Sequence, residues 1–173
     1  MVAAEFTARI WHHHLELWRH VGRCWPAYAL AVLLGLAASH WIGLNFTESV
    51  PERMVWMEHG ATPQRGDLIV FRFHADRGPA AVLDGTRWLK RVKGVPGDVI
   101  TVHDRTVYLN GKLIGAAIER TPKGSAMTVV EPGVIPDGHY FIGGSANDSL
   151  DSRYREIGLV KREQVIARAR TIF

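Results

Sequence analysis

The sequence predicts a mainly β domain that follows one apolar helix near the N-terminus. The chain has 173 residues, and its only long uncharged apolar run covers residues 25–44. Beyond residue 50, short β-branched and aromatic stretches alternate with turns rich in Gly, Pro and Asp. The same region has no long amphipathic helical pattern, so the helices that cover a parallel sheet are missing. We therefore expect a barrel or sandwich-like β domain.

Composition narrows the classes of function. The net charge is +4 and 47% of residues are hydrophobic. This basic character suits anionic lipid headgroups, whereas no basic run is interleaved with aromatic residues as a nucleic-acid surface requires. Cys24 is the single cysteine, so the chain cannot form an intrachain disulfide. We expect no cofactor and no nucleic-acid partner.

The N-terminal segment, residues 1–24, is polar and aromatic with helical spacing. Three consecutive histidines, at positions 12–14, precede His20 and Cys24 and raise the question of a metal site. Adjacent residues of a helix point in different directions, whereas a pair of metal ligands on a helix is spaced i, i+4. We therefore predict no metal site.

The apolar run at residues 25–44 has the length of a transmembrane helix. Twenty helical residues span roughly 30 Å, the thickness of the hydrocarbon core. Trp25 and Tyr28 at one end and Trp41 at the other suit the two aromatic belts, and Pro26 suits a first helical turn. A cleaved signal peptide would have a shorter preceding segment and a shorter apolar run. A buried core helix remains an alternative.

Flanking charges predict the orientation of this helix. Arg9, Arg19 and Arg23 precede the run, whereas two glutamates and one arginine follow it closely. The positive-inside rule then places the N-terminus in the cytoplasm. The predicted division is a cytoplasmic segment at 1–24, a transmembrane helix at 25–44 and an external β-rich domain at 45–173.

Seven stretches of the body have the composition of strands. The tight turn Asn110-Gly111 predicts a hairpin after the fifth of them. The stretches are Met54–Met57, Leu68–Phe73, Thr86–Val95, Val99–Val102, Thr106–Leu109, His139–Ile142 and Gln164–Phe173.

Ser49 is the candidate nucleophile. It lies five residues past the apolar run, two residues after Thr47 and two before Pro51. A serine hydroxyl reacts only when a base takes its proton, and histidine is the usual base. Nine histidines leave a Ser-His-Asp triad possible by count, but no serine lies in a Gly-x-Ser-x-Gly elbow.

Lys90 is the candidate base. In a strand, Trp88, Lys90 and Val92 share one face. A lysine that works near neutral pH needs its pKa lowered by about three units from ~10.4, equivalent to roughly 4 kcal/mol. Burial against apolar side chains produces such a shift. The alternative is a lysine at the rim of a sheet with only its stem packed.

Three blocks carry a resemblance to a known family. They are Asn-Phe-Thr-Glu-Ser-Val-Pro at 45–51, Lys-Arg-Val-Lys-Gly-Val-Pro-Gly-Asp at 90–98, and Gly-Ser-Ala-Asn-Asp-Ser-Leu-Asp-Ser-Arg-Tyr at 144–154. In this order, after a membrane span, they resemble the boxes of type I signal peptidases of the Ser-Lys class. The chain is most similar to the TraF-type peptidases of bacterial conjugative transfer.

The resemblance implies roles for the residues of the first two blocks. Ser49 would attack the scissile carbonyl, and neutral Lys90 would take the Ser49 proton and return it to the leaving amine. The Ser49 N–H and the Thr47 hydroxyl would form the oxyanion hole.

The third block would support Lys90. Ser149 aligns with a family serine that hydrogen-bonds the lysine, and Asp151 and Arg153 would hold the surrounding loop. An ordinary structural ion pair explains Asp151 and Arg153 equally well. Two departures concern the local backbone: Arg53 stands where the family often has glycine, and Gly-Ser-Ala-Asn replaces the common Gly-Asp-Asn.

The resemblance also implies a location and partners. The chain would be a single-pass protein of the bacterial inner membrane with a periplasmic domain. It would act on a membrane-bound precursor, a pilin or a secreted preprotein, with small residues before the cut. The resemblance to the conjugative members also implies a second possible outcome, in which the new ends of the product are joined into a ring. The alternative is an inert membrane-anchored β module that binds a secretion or conjugation partner.

Overall fold

The computed structural model describes residues 2–47, 49–75, 80–121, 124–146 and 148–173. For residues 2–10, 12, 13 and 15 it describes the backbone alone. The chain divides into two compact units, one up to Trp41 and the other from Ile42 to Phe173.

The first unit is one continuous helix, α1, at Val2–Trp41. The part from Glu16 to Trp41 has a mean hydropathy of 1.4, which is apolar enough to cross a membrane. Its leucines, such as Leu33 and Leu36, are more than half exposed.

The position of Pro26 differs from the prediction. It lies inside α1 and not in the first turn, because the preceding residues extend the helix back to Val2. The proline ring costs the helix one backbone hydrogen bond at this point. At the other end, residues 42–44, which we placed in the span, form a strand.

The second unit is built from short strands in two sheets. Within the described residues, the larger sheet has the order β1-β2-β11-β3-β4-β9-β10 and the smaller one the order β7-β6-β5-β8. The strands are β1 Ile42–Leu44, β2 Met54–His59, β3 Leu68–Arg72, β4 Arg87–Gly94, β5 Val99–His103, β6 Thr106–Leu109, β7 Lys112–Ala116, β8 Gly133–Val134, β9 His139–Gly143, β10 Val160–Lys161 and β11 Val165–Thr171. Two short 3-10 helices cover Ala81–Leu83 and Arg162–Gln164.

The mainly β fold class with one N-terminal apolar helix is confirmed. Each of the seven predicted strands has a counterpart, and the strand pairs of the described residues are antiparallel. Asn110 and Gly111 both have positive φ, at 48° and 76°, as a tight hairpin turn between β6 and β7 requires. Strand β7 was implied only as the second arm of the hairpin. The short strands β1, β8 and β10 were not predicted, because two or three residues carry no readable alternation.

Strand β3 is buried on both faces and anchors the large sheet. Ile69 and Phe71 belong to one apolar cluster, whereas Leu68 and Val70 belong to another on the opposite face. Each fully buried side chain of this size contributes about 1.5–3 kcal/mol. Residues 87–91 of β4 pair with β3, so this double burial holds the part of β4 that carries Lys90.

Candidate active site

The nucleophile loop connects β1 to β2 and is folded around the side chain of Asn45. Thr47 donates its hydroxyl to Asn45 Oδ1 at 2.7 Å, and Thr47 Oγ1 lies 2.9 Å from Ser49 Oγ. Val50 is buried in the cluster on one face of the large sheet and fixes the loop behind Ser49. The loop therefore presents two adjacent hydroxyls, as the sequence predicted. Glu48, between them, lies outside the described residues.

Lys90 is buried in the middle of β4, with 4% of its surface exposed. It shares the face of Trp88 and Val92, as predicted, and its cross-strand neighbour on β3 is Ile69. Its amine donates a hydrogen bond to Ser149 Oγ at 2.6 Å. These contacts exclude the alternative of a lysine with an exposed amine and a packed stem.

Burial is the main influence on the Lys90 amine. Loss of hydration lowers the pKa of Lys90 to about 8 from its ordinary value of 10.5. The Asp151 carboxylate opposes this shift, and the positive charge of Arg153 adds to it. At pH 7 about a tenth of Lys90 is therefore neutral, against less than about a thousandth at the ordinary pKa, and the neutral amine is the form that a general base requires.

The loop after β9 brings Ser49 and Lys90 to the same place. The backbone N–H of Ser145 donates to the carbonyl oxygen of Ser49 at 2.7 Å, and four residues later Ser149 accepts from Lys90. Gly144 allows this approach. A Cβ on Gly144 would collide with Ser149 Oγ and lie 2.8 Å from the Ser49 carbonyl oxygen.

The hydrogen bonds of the described residues include none between Ser49 Oγ and Lys90 Nζ. In this state the Ser49 hydroxyl bonds Thr47 and the amine bonds Ser149. Catalytic hydrogen bonds are often long or absent without a substrate and tighten when one binds. The structure thus brings the two groups into one neighbourhood, and proton transfer requires a side-chain movement.

Asp151 and Arg153 form a buried ion pair beneath this loop. Arg153 Nε donates to Asp151 Oδ1 at 2.9 Å. Arg153 also donates to the carbonyl of Ser149 at 3.1 Å, and Gly144 N–H donates to Asp151 Oδ2 at 3.2 Å. The pair ties both ends of the 144–149 loop together, so it holds Ser149 under the Lys90 amine.

A second ion pair joins the nucleophile loop to β4 and was not anticipated. Glu52, three residues after Ser49, accepts a hydrogen bond from Arg91, the neighbour of Lys90. The other carboxylate oxygen of Glu52 is buried without a hydrogen-bond partner among the described residues. Opposite charges at these two positions were visible in the sequence, but nothing in their spacing indicated that they meet.

A cleft of about 390 Å³ lies beside the C-terminal half of β4. Its lining is strongly basic, and it includes residues 143–146 but neither Ser49 nor Lys90. The cations that line it are Arg65, Arg91, Lys93, Lys112 and Arg153. The candidate dyad therefore lies next to this cleft and not inside it.

Metal binding has no structural support in the described part of the chain. No group of three or more His, Cys, Asp or Glu residues is placed there to hold an ion. Cys24 Sγ and His20 Nδ1 lie 4.0 Å apart on α1, one helical turn from each other. The side chains of His12 and His13 lie outside the described residues.

Comparison with known proteins defines the class. The family model described as "Signal peptidase, peptidase S26" matches residues 17–173. The chain therefore belongs to the signal peptidase family, peptidase S26.

Particular relatives share part of their length with this chain. A probable signal peptidase I-2 of Synechocystis sp. is 32% identical over 112 residues, which cover 62% of this chain and 46% of the relative. Signal peptidase I of Pseudomonas fluorescens is 32% identical over 144 residues, with coverage of 62% and 48%. The chain thus spans about half the length of these curated relatives.

Two further comparisons concern a longer alignment and a solved structure. Signal peptidase I T of Bacillus subtilis is 23% identical over 159 residues, covering 85% of this chain and 82% of the relative. The crystal structure of a signal peptidase I from Enterococcus faecalis is 26% identical with a TM-score of 0.38, and the match covers 62% of this chain and 97% of that one. Family membership and the apolar helix fit a membrane-anchored protein.

Proposed function

We propose that this chain is a membrane-anchored serine endopeptidase in which Ser49 is the nucleophile and Lys90 the general base. The observation that carries the proposal is the buried Lys90 amine, held by Ser149 in the same loop that hydrogen-bonds the Ser49 carbonyl. The substrate is a precursor protein tethered to the membrane by its own apolar segment. The Asp151–Arg153 pair supports the loop.

The first half of the reaction forms an acyl-enzyme. Neutral Lys90 takes the Ser49 proton while Ser49 Oγ bonds to the scissile carbonyl carbon, whose oxygen becomes negative. The Ser49 N–H and the Thr47 hydroxyl donate to this oxyanion, and a donor of this kind contributes about 10²–10³ in rate. The carbon–nitrogen bond then breaks, and Lys90 gives its proton to the departing amine.

The second half of the reaction restores the enzyme. Lys90, neutral again, takes a proton from water while the water oxygen bonds to the ester carbonyl. The same two donors stabilise the second oxyanion. The bond to Ser49 Oγ breaks, Ser49 regains its proton from Lys90, and the new carboxyl terminus leaves.

Strand β4 offers a place for the precursor backbone. Strand β9 pairs with β4 only from Arg91 onward, and residues 87–90 have no partner strand on that edge within the described residues. The N–H and C=O of Val92 bond to Asp67 and Gly66, which precede β3. Backbone groups of successive residues in a strand point to opposite edges, so the N–H and C=O of Leu89, three residues earlier, face the open edge. An extended precursor segment that pairs here would place its next peptide bonds beside Lys90.

The location and natural substrate are part of the same proposal. Arg9, Arg19 and Arg23 place the N-terminus in the cytoplasm, which puts the β domain in the periplasm of a bacterial inner membrane. The three sequence blocks resemble the TraF-type group, which supports a pilin-type precursor of a conjugative transfer system. If the enzyme also joins the new ends of the cleaved pilin into a ring, the product has no free N- or C-terminus.

The test is processing of a membrane-tethered pilin or preprotein by the full-length protein in inverted vesicles or detergent. Ser49→Ala and Lys90→Ala should each lower the cleavage rate by at least about 10³-fold. Glu163→Ala, at an exposed position of the 3-10 helix Arg162–Gln164, is the control and should cleave at the normal rate. Mass spectrometry of the product distinguishes free new termini from a ring.

Cleavage at the normal rate by folded Ser49→Ala and Lys90→Ala proteins would remove the peptidase proposal. The result could instead be that wild type, Ser49→Ala and Lys90→Ala all bind the precursor with the same affinity and none of them cleaves it. The protein would then be an inert β module.

A further inference from the structure

The side chain of Asn45 makes five hydrogen bonds within the nucleophile loop and is 7% exposed. Its Nδ2 donates to the carbonyls of Thr47, Val50 and Glu52 at 3.1, 3.2 and 2.9 Å. Its Oδ1 accepts from the backbone N–H and the hydroxyl of Thr47 at 3.0 and 2.7 Å. Three carbonyl oxygens can only face the NH₂ group, so the orientation of the amide is fixed.

This orientation also fixes the direction of the neighbouring hydroxyls. Thr47 has one hydroxyl proton, and Asn45 Oδ1 receives it. The bond between Thr47 Oγ1 and Ser49 Oγ must then be donated by Ser49. In the free protein the two hydroxyl hydrogen bonds therefore run in one direction. Ser49 donates to Thr47, and Thr47 donates to the buried Oδ1 of Asn45.

We propose that Asn45 is a positioning residue that acts on the reaction through the Thr47 hydroxyl. The inference rests on the proposed peptidase function. When the oxyanion forms, the Thr47 O–H turns from Asn45 Oδ1 to the substrate oxygen. The Thr47 N–H stays on Oδ1, so the Thr47 backbone does not move. A bound carbonyl thus replaces Asn45 as the acceptor, and Thr47 keeps its place beside Ser49.

A purely structural role for Asn45 makes a different prediction. If Asn45 mattered only through Nδ2 and the three carbonyls, its loss would disturb the whole loop whether or not Thr47 had a hydroxyl. If it acts through Thr47, its loss has little further effect once that hydroxyl is gone. A double-mutant cycle in kcat separates the two cases.

The cycle uses Asn45→Ala, Thr47→Val and the double variant of the full-length protein in detergent. The substrate is a peptide with alanine at the first and third positions before the cut. We expect Thr47→Val to lower kcat about 10²–10³-fold and Asn45→Ala about 10–10²-fold, with KM changed less than about threefold. The double variant should be within about threefold of Thr47→Val alone.

The result that overturns the proposal is multiplication of the two single effects in the double variant. Asn45→Ser, which is uncharged and keeps a hydroxyl that can donate to the loop carbonyls, repeats the cycle if Asn45→Ala does not fold. It lacks the Oδ1 that accepts the Thr47 hydroxyl, so it should lower kcat alone and have less than about a threefold effect in the Thr47→Val background. A full Asn45→Ser effect in that background likewise overturns the proposal.

Two controls keep this inference separate from the proposed function. In a Thr47→Ser background, which retains a hydroxyl, Asn45→Ala should again lower kcat about 10–10²-fold. If Ser49→Ala cleaves normally, the peptidase proposal itself has failed. If Ser49→Ala is inactive and the two effects multiply, only the role of Asn45 is wrong.

Discussion

At the scale of a single residue, burial of the Lys90 amine lowers the stability of the fold and also makes the amine a better base near neutral pH. The residue is almost fully buried, and its nitrogen lies 5.5 Å from the centre of the Trp88 ring. Trp88 in turn stacks on Phe73 with ring centres 4.4 Å apart. This apolar setting disfavours the ammonium form. An apolar side chain at position 90 would stabilise the fold more, but only the lysine supplies an amine that loses its proton easily.

Replacement of Lys90 by methionine tests this cost. Below pH 8 the amine is charged in both the folded and the unfolded chain, and its burial opposes folding by about 3 kcal/mol, from a lowering of the pKa from 10.5 to about 8. The lost hydrogen bond to Ser149 offsets about 1 kcal/mol of this. At pH 6.5, Lys90→Met should therefore have a free energy of unfolding about 2 kcal/mol above wild type.

This advantage should disappear between pH 8 and 10.5, because the folded wild-type protein loses its proton before the unfolded chain does. Denaturant unfolding in detergent at several pH values measures the difference. Lys112→Met, at an exposed position on β7, is the control. A Lys90→Met variant less stable than wild type at pH 6.5 would contradict the account.

At the scale of elements, the site depends on the loop that leaves β9. This loop donates a hydrogen bond to the Ser49 carbonyl and accepts one from Lys90. It is held from below by the Asp151–Arg153 pair. Gly144 is the point where the loop, the nucleophile segment and Ser149 approach most closely, and a side chain there has no room.

Gly144→Ala should therefore separate the nucleophile segment from the lysine strand. The new methyl group would displace Ser149 and the Ser49 backbone, and misplacement by about 1 Å costs about 10² in rate. We expect kcat to fall by about that factor, as measured with the peptide substrate. Gly35→Ala on α1, where a Cβ meets nothing within 4 Å, is the control. Normal kcat in Gly144→Ala would show that the contact is dispensable.

At the scale of the whole molecule, the sequence predicted the longer strands and the apolar helix because their patterns are local. Alternation in β4 placed Lys90 on the face of Trp88 and Val92, and the Asn110-Gly111 turn identified a hairpin. The start of α1 was harder to predict. Pro26 resembles a helix start, and only the fold shows that the helix continues through it.

The sequence named candidate site residues only where a motif contains them. In the structure Thr47 is hydrogen-bonded to Ser49, and Lys90 is hydrogen-bonded to Ser149. The catalytic roles of these residues stay a prediction. The link between Glu52 and Arg91 could not be predicted, because it joins segments 39 residues apart whose approach depends on tertiary packing. The hydrogen bonds of Asn45 depend in the same way on the exact path of the loop.

The central claim is that the Ser49 oxygen reacts because the Lys90 amine takes its proton. Labelling with a peptide phosphonate, followed by mass spectrometry, measures this without a natural substrate. The account predicts an adduct on Ser49 that forms faster as the pH rises through about 8, the pKa of Lys90, and is lost in Lys90→Met. An unlabelled Ser49, or an equal rate in Lys90→Met, would contradict it.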